Sequence, residues 1–195
     1  EYTVLSDSAE KWSVPVVHEL PDGQHSYEVI ATDLAVNQTT VSDSLLVDTV
    51  MNLTGALNST LDSGSSSSDQ ITNKTQLAFS GNAEPNAVVT LDINGQRYNA
   101  EVNSAGNWTL AIPTEFAQGT YNYTIAGSDV AGNSKQINSR VIVDTETFVT
   151  ATLSEASDSG KSAADKLTNV NKPVFEGTGE VGSTIAFAIN GKTYT

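Results

Sequence analysis

The 195 residues carry 23 Asp and Glu against 9 Lys and Arg, a formal net charge of -14, which argues against nucleic acid and anionic lipid as partners because both repel an acidic surface. Hydrophobic residues make up 38% of the chain, with Val, Ile, Thr and Tyr frequent, a composition that fills thin β-sandwich cores rather than one large enzyme core. No cysteine is present, so a secreted fold of this kind needs a brace other than disulfides, usually a metal, and no apolar run approaches the ~20 residues that span a bilayer.

From the N-terminus, residues 1–7 have neither the basic nor the apolar part of a signal peptide, so any export signal is expected outside these residues. Trp12, Gly23, Tyr27, Asp33 and Asn37 come next, and each recurs 96 residues later as Trp108, Gly119, Tyr123, Asp129 and Asn133. The correspondence holds 29 identities in 99 aligned pairs without an insertion, the mark of a tandem array. Val47-Asp48-Thr49 recurs as Val143-Asp144-Thr145, each time after an alternating apolar run, so boundaries are expected at Asp48 and Asp144. Residues 1–47 then read as the C-terminal half of one immunoglobulin-like domain, 48–143 as a complete domain and 144–195 as the N-terminal half of the next. Half a sandwich is not expected to be stable alone.

Within the complete unit the first strand is expected over residues 52–57, followed by an acidic, serine-rich loop at residues 62–69. Further strands are expected at 76–80 and 88–93, where Asn94-Gly95 marks a type I′ hairpin because both central residues need positive φ. The remaining strands fall at 96–102, 107–112, 121–127 and 136–143. Seven short alternating strands in one period indicate an all-β fold of tandem immunoglobulin-like β-sandwich domains in a rod-like array. Phe79, Trp108, Tyr121 and Tyr123 lie on alternating strand faces and read as core or rim, not as ligand-stacking residues.

The acids that recur between repeats sit in loops and junctions. On an immunoglobulin-like path Asp48, Glu84 and Asp129 converge at the N-terminal pole of the complete domain. Asp62 and Asp69 lie at the opposite pole, beside Asp144 and Glu180, and Asp158 and Asp165 repeat that loop. Like charges 4 Å apart repel by about 1 kcal/mol per pair in water and by more when partly buried, which a divalent ion relieves. Carboxylates with carbonyls and serine hydroxyls nearby suit Ca2+, which accepts six to eight oxygens in flexible geometry.

Taken together, the Val-Asp-Thr linker, Asp-Ser-Gly with a later Asp and Thr-Asn, Phe-x-Gly followed by Glu, the Asn-Gly hairpin, Gly-Asn-Trp and Asp-x-Ala-Gly-Asn resemble the bacterial immunoglobulin-like repeats of giant type I-secreted adhesins, closest to the SiiE and BapA group of non-fimbrial adhesins. The resemblance covers the whole chain. It implies a segment of a secreted, cell-surface protein whose Ca2+ ions at and near the linkers stiffen a spacer for cell adhesion, with the host-cell surface gripped by other parts and neighbouring immunoglobulin-like domains as immediate partners. It carries a ligand role to Asp48, Asp62, Asp69, Glu84 and Asp129, to Asp144, Asp158, Asp165 and Glu180 in the following repeat, and to Asp33 in the preceding one. Two departures, Val36 against Gly132 and Pro85 against Val181, leave room for different loop shapes.

Other signals count for less. Asn-x-Thr triplets such as Asn107-Trp108-Thr109 follow from an Asn- and Thr-rich composition, and His18 and His25 face Thr114 and Tyr121 in the other repeat. No Ser-His-Asp set or glycine-rich phosphate loop stands out. Asp62 and Asp69 as a glycosidase pair would need one shaped cleft rather than a recurring loop, so no enzyme is expected. The alternatives are a direct glycan- or protein-binding module and an accessory module of a secreted polysaccharide-active enzyme.

Overall fold

The computed structural model describes residues 2–162 and 164–194, and every regular element in them is a β-strand. The first two, β1 (Gly23–Thr32) and β2 (Gln38–Val47), form an antiparallel hairpin running from Gly23↔Val47 to Thr32↔Gln38. A sandwich of two sheets follows. One sheet holds β3 (Leu53–Leu57), β5 (Gln76–Ala83) and β8 (Asn107–Glu115) in that order. The other holds β4 (Ile71–Thr72), β6 (Val88–Ile93), β7 (Gln96–Ala100), β9 (Gly119–Ser128) and β10 (Ser134–Val143) in the order β4-β10-β9-β6-β7. Beyond it, β11 (Thr152–Leu153) pairs with β12 (Phe175–Glu176), and β13 (Phe187–Ile189) with β14 (Lys192–Tyr194). Among the described residues no helix is long and apolar enough to cross a membrane.

Strand alternation builds the core. Leu53 and Leu57, Leu77 and Phe79, Val89, Leu91 and Ile93, and Val141 and Val143 are buried at every second position of their strands. The Phe79 and Tyr123 rings meet edge to face at 4.8 Å, and Phe116 and Tyr121 do the same. Trp108 is buried in the core and its Nε1 donates to the Thr54 carbonyl. Asn94 and Gly95 take φ of 51° and 73°, as a type I′ hairpin requires, and Asn190 and Gly191 repeat this at 50° and 75°. Pro113 is tolerated because β8 is an edge strand.

All seven expected strands of the complete unit are present, and β4 is an eighth. Two residues are too few to show an alternation, so its existence rests on tertiary contacts. The Ile142 N–H donates to the Gln70 carbonyl, the Gln70 amide donates to Ser139 Oγ, and the Tyr123 hydroxyl donates to Gln70 Oε1. Through β4, which runs parallel to β10, the chain leaves the three-stranded sheet and crosses to the edge of the other.

The repeat is visible in the register. β9 and β10 pair from Gly119↔Val143 to Ser128↔Ser134, the β1–β2 pairing displaced by 96 residues. Burial separates the two copies: Trp108 is 2% exposed and Trp12 54%, because Trp108 packs on β3 and, among the described residues, no strand covers Trp12 in that way. The Phe-x-Gly motif also acquires a cause. Gly81 lies opposite Gly55 so closely that a Cβ would sit 2.0 Å from the Thr54 carbonyl oxygen, and Gly177 stands in the same relation to Thr150. Gly81→Ala is therefore expected to destabilise the sandwich by about 3 kcal/mol, the upper end for overpacking, since the obstacle is backbone. A lowered denaturant midpoint at unchanged slope will register it.

Candidate functional site

Strand topology gathers the first group of acids. Asp48 follows the last residue of β2 and leads into β3, Glu84 follows β5, and Asp129 follows β9. Leu53 pairs with Ala83 and Val88 pairs with Ser128, so the short connection from Glu84 to Ala87 bridges the two sheets beside the linker. Carboxylate oxygens of Asp48, Glu84 and Asp129 lie within 4.8 Å of one another, and no other such group of three occurs among the described residues.

Hydrogen bonds aim each of them. Glu84 Oε1 accepts from the Asn52 N–H at 2.8 Å and from Asn52 Nδ2 at 2.9 Å. Asp48 Oδ1 accepts from the Val50 N–H at 3.3 Å. Asp129 Oδ1 accepts from the N–H groups of Gly132 and Asn133, and its Oδ2 from Asn133 Nδ2. The same Nδ2 donates to the Asp48 carbonyl at 3.0 Å, so Asn133 ties the linker to the turn. Partial desolvation pushes the Asp129 carboxyl up, but the bonds from Asn133, Gly132 and Ala131 outweigh it and hold the group below its ordinary range. Among the described residues the one ion pair, Arg97 with Asp92, lies on the β6–β7 hairpin, so no side-chain cation neutralises the three acids.

A divalent ion fits this arrangement. The donors engage Glu84 only at Oε1 and Asp48 only at Oδ1, which leaves Glu84 Oε2 and Asp48 Oδ2 without a protein donor among the described residues. Oxygen-only ligands of this kind match the preference of Ca2+.

The remaining sequence candidates fall into two positions. Asp62 is 7% exposed; its Oδ2 accepts from the Gln70 N–H and its Oδ1 is buried without a partner. Asp158 reproduces this with Oδ2 on the Lys166 N–H and a buried, unpartnered Oδ1. The two loops share further bonds, from Asn73 N–H to Ser63 Oγ and from Asn169 N–H to Ser159 Oγ, although their middles differ in sequence. Asp69 and Asp165 turn onto their own loops, accepting from the Ile71 and Leu167 N–H groups. The Asp144 N–H donates to the Thr72 carbonyl, which ties the residue after β10 to the end of β4, and Asp144 Oδ1 is likewise buried and unpartnered. Asp62, Asp69, Asp144 and Glu180 do not close into a second cluster of three carboxylates.

Asp33 stands in the β1–β2 turn, at the far end of the hairpin from Asp48, and accepts from the Ala35 and Asn37 N–H groups and from Asn37 Nδ2. These bonds, led by the Asn37 side chain, lower its pKa. The turn has the shape of the Asp129 turn even though Val36 replaces Gly132. Val36 takes φ of 67°, a conformation costly for a β-branched residue, so the Asp–Asn bonds impose the turn on it. Around Pro85 the shape also persists: Ala87 N–H donates to the Glu84 carbonyl as Ser183 N–H does to that of Glu180.

Sequence reading missed Asn52, which positions Glu84, and gave no role to Asn133. Asn133 carried a signal, its identity with Asn37. Asn52 carried none, since Phe148 occupies its place in the next repeat.

The family model of the bacterial Ig-like domain matches residues 50–145 and again 146–195. The chain belongs to this family. No curated protein matches it in sequence. Among solved structures, bacterial Ig-like repeats of this chain are similar to a Ca2+-stabilized adhesin that helps an Antarctic bacterium bind ice, at 24% identity over 69% of this chain and 38% of that one, with a TM-score of 0.31. A 1.5-MDa bacterial ice-binding adhesin is similar at 21% identity over 63% and 42%, with a TM-score of 0.32. The chain spans less than half the length of either.

Because the folded Asp129 carboxyl titrates below its ordinary value of 3.8, it binds fewer protons folded than unfolded. Its contribution to stability is complete above that ordinary value and disappears as pH falls through the lowered one. In chelator, Asn133→Ala is expected to move the Asp129 titration up towards 3.8, read from carboxyl chemical shifts.

Proposed function

We propose that the chain is a calcium-stiffened segment of a large bacterial surface adhesin, serving as a spacer that carries a binding region away from the cell. The observation that supports calcium most directly is the meeting of Asp48, Glu84 and Asp129 from three separate segments, each aimed by its own donors. Asp48 belongs to the linker and the other two to the sandwich that follows, so an ion held by all three joins linker to domain. Asp62 and Asp144, with their buried unpartnered Oδ1 atoms, are the second place where cations are expected, and Asp158 repeats it. Asp69, Asp165, Glu180 and Asp33 complete the ligand set that the family motifs imply.

On this reading the units are residues 1–47, 48–143 and 144–195, the array is rod-like, and the protein is secreted and displayed on the cell surface. The full motif set supports assignment to the SiiE and BapA group. What recurs in each period is joint chemistry rather than a cleft, which favours a structural over a catalytic role. The host surface is contacted by other parts of the full protein.

Extracellular calcium modules bind with Kd of about 10⁻⁴ to 10⁻³ M. At 10 mM Ca2+ the tighter limit stabilises by about 2.7 kcal/mol, a rise in melting temperature of about 10–20 °C for a domain of this size. Asp48→Ala is expected to remove most of that rise while leaving the melt in chelator nearly unchanged. Small-angle scattering should show a shorter, broader distance distribution in EDTA than in calcium; identical profiles contradict the spacer role.

A further inference from the structure

The two linkers are held by a second device that the carboxylates do not explain. In the first, the Thr49 N–H and Oγ1–H both donate to one oxygen, Asp22 Oδ1, at 3.1 and 2.8 Å. In the second, the Thr145 N–H and Oγ1–H both donate to Gln118 Oε1, at 3.3 and 3.2 Å. Both acceptors stand 27 residues before their threonine. Each immediately precedes the glycine that opens the strand paired with the one feeding the linker, since Gly23 pairs with Val47 and Gly119 with Val143. The side chain at 22 or 118 thus extends the hairpin ladder past its last backbone pair and takes hold of the second linker residue.

We infer that Asp22–Thr49 and Gln118–Thr145 are cation-independent latches that set the direction in which each linker leaves the domain behind it. Two donors from one residue on one acceptor fix both the backbone and the hydroxyl rotamer of the threonine, so the linker continues the line of β2 or β10. In the second linker the Asp144 N–H bond to the Thr72 carbonyl holds the preceding residue to the same sandwich. Entry into the next domain is a separate matter, governed at the first linker by Asn133 and the three carboxylates. A joint of this design has a half that is always closed and a half that awaits an ion. The acceptor is the tunable element: Asp22 is charged and makes the shorter pair of bonds, as charge-assisted hydrogen bonds do, whereas Gln118 is neutral. Asp22 and Gln118 are positioning residues, and nothing in their role requires calcium.

The test uses the 195-residue chain in EDTA, so that its result is independent of the calcium reading. Amide hydrogen exchange of Thr145 is compared between wild type, Gln118→Ala and Gln118→Glu. Gln118→Ala should accelerate exchange about fivefold or more, the population change that follows loss of an ordinary hydrogen bond. Gln118→Glu, which keeps an acceptor oxygen at that position, should restore slow exchange, and core amides such as those of Ile125 and Val141 should be unaffected in all three. The chain has no cysteine, so spin labels at N99C and K172C report the joint without background, and their distance distribution should broaden in Gln118→Ala alone. Unchanged Thr145 exchange and an unchanged distribution in Gln118→Ala would overturn the latch. Failure of the glutamate variant to rescue would show that the side chain acts by packing rather than as an acceptor, and would overturn it too.

Discussion

Three carboxylates converging where a linker enters a sandwich is the constraint around which the joint is arranged. Like charges brought within 4.8 Å, without a lysine or arginine bonded to them, are tolerated only because backbone and amide donors hold each one in place. Asn52 fixes Glu84, and the Asp129 turn fixes Asn133, which reaches the linker carbonyl of Asp48. On the calcium reading proposed above, protein donors already orient the three carboxylates, so an ion would fasten the arrangement rather than organise it.

The sandwich positions these groups through ordinary β-sheet rules. Pairing of Leu53 with Ala83 and of Val88 with Ser128 brings the ends of β5 and β9 to the side where the chain enters β3. The Gly55–Gly81 contact lets β3 and β5 lie beside Trp108, and the core beneath keeps those strand ends from drifting. Fold and joint thus share causes: in the complete unit Gly55, Gly81 and Trp108 pack together, and the acids stand at the rim of that core.

Much of this is readable from the residues because the signals are local or periodic. Asn94-Gly95 specifies its own turn, alternation marks the strands, and identity at 96 residues keeps Asp48, Glu84 and Asp129 among the recurring acids, together with Glu19, Asp62 and Asp69. What was not readable depends on contacts between distant segments. β4 is two residues, anchored through the preceding Gln70 by Tyr123, Ser139 and Ile142. Asn52 and Asp22 have unlike residues, Phe148 and Gln118, at their repeat positions, so comparison of repeats passes over them. The Val36 turn shows the converse: one Asp–Asn pair preserves a loop whose glycine has gone.

The most direct test of the account is a crystal structure of the chain grown in saturating calcium, with the ion identified by its anomalous scattering. An ion bound 2.3–2.6 Å from oxygens of Asp48, Glu84 and Asp129 together, with Asn52 and Asn133 still in their present bonds, is the predicted result. Carboxylates that remain where they are in saturating calcium, with no ion among them, would contradict it.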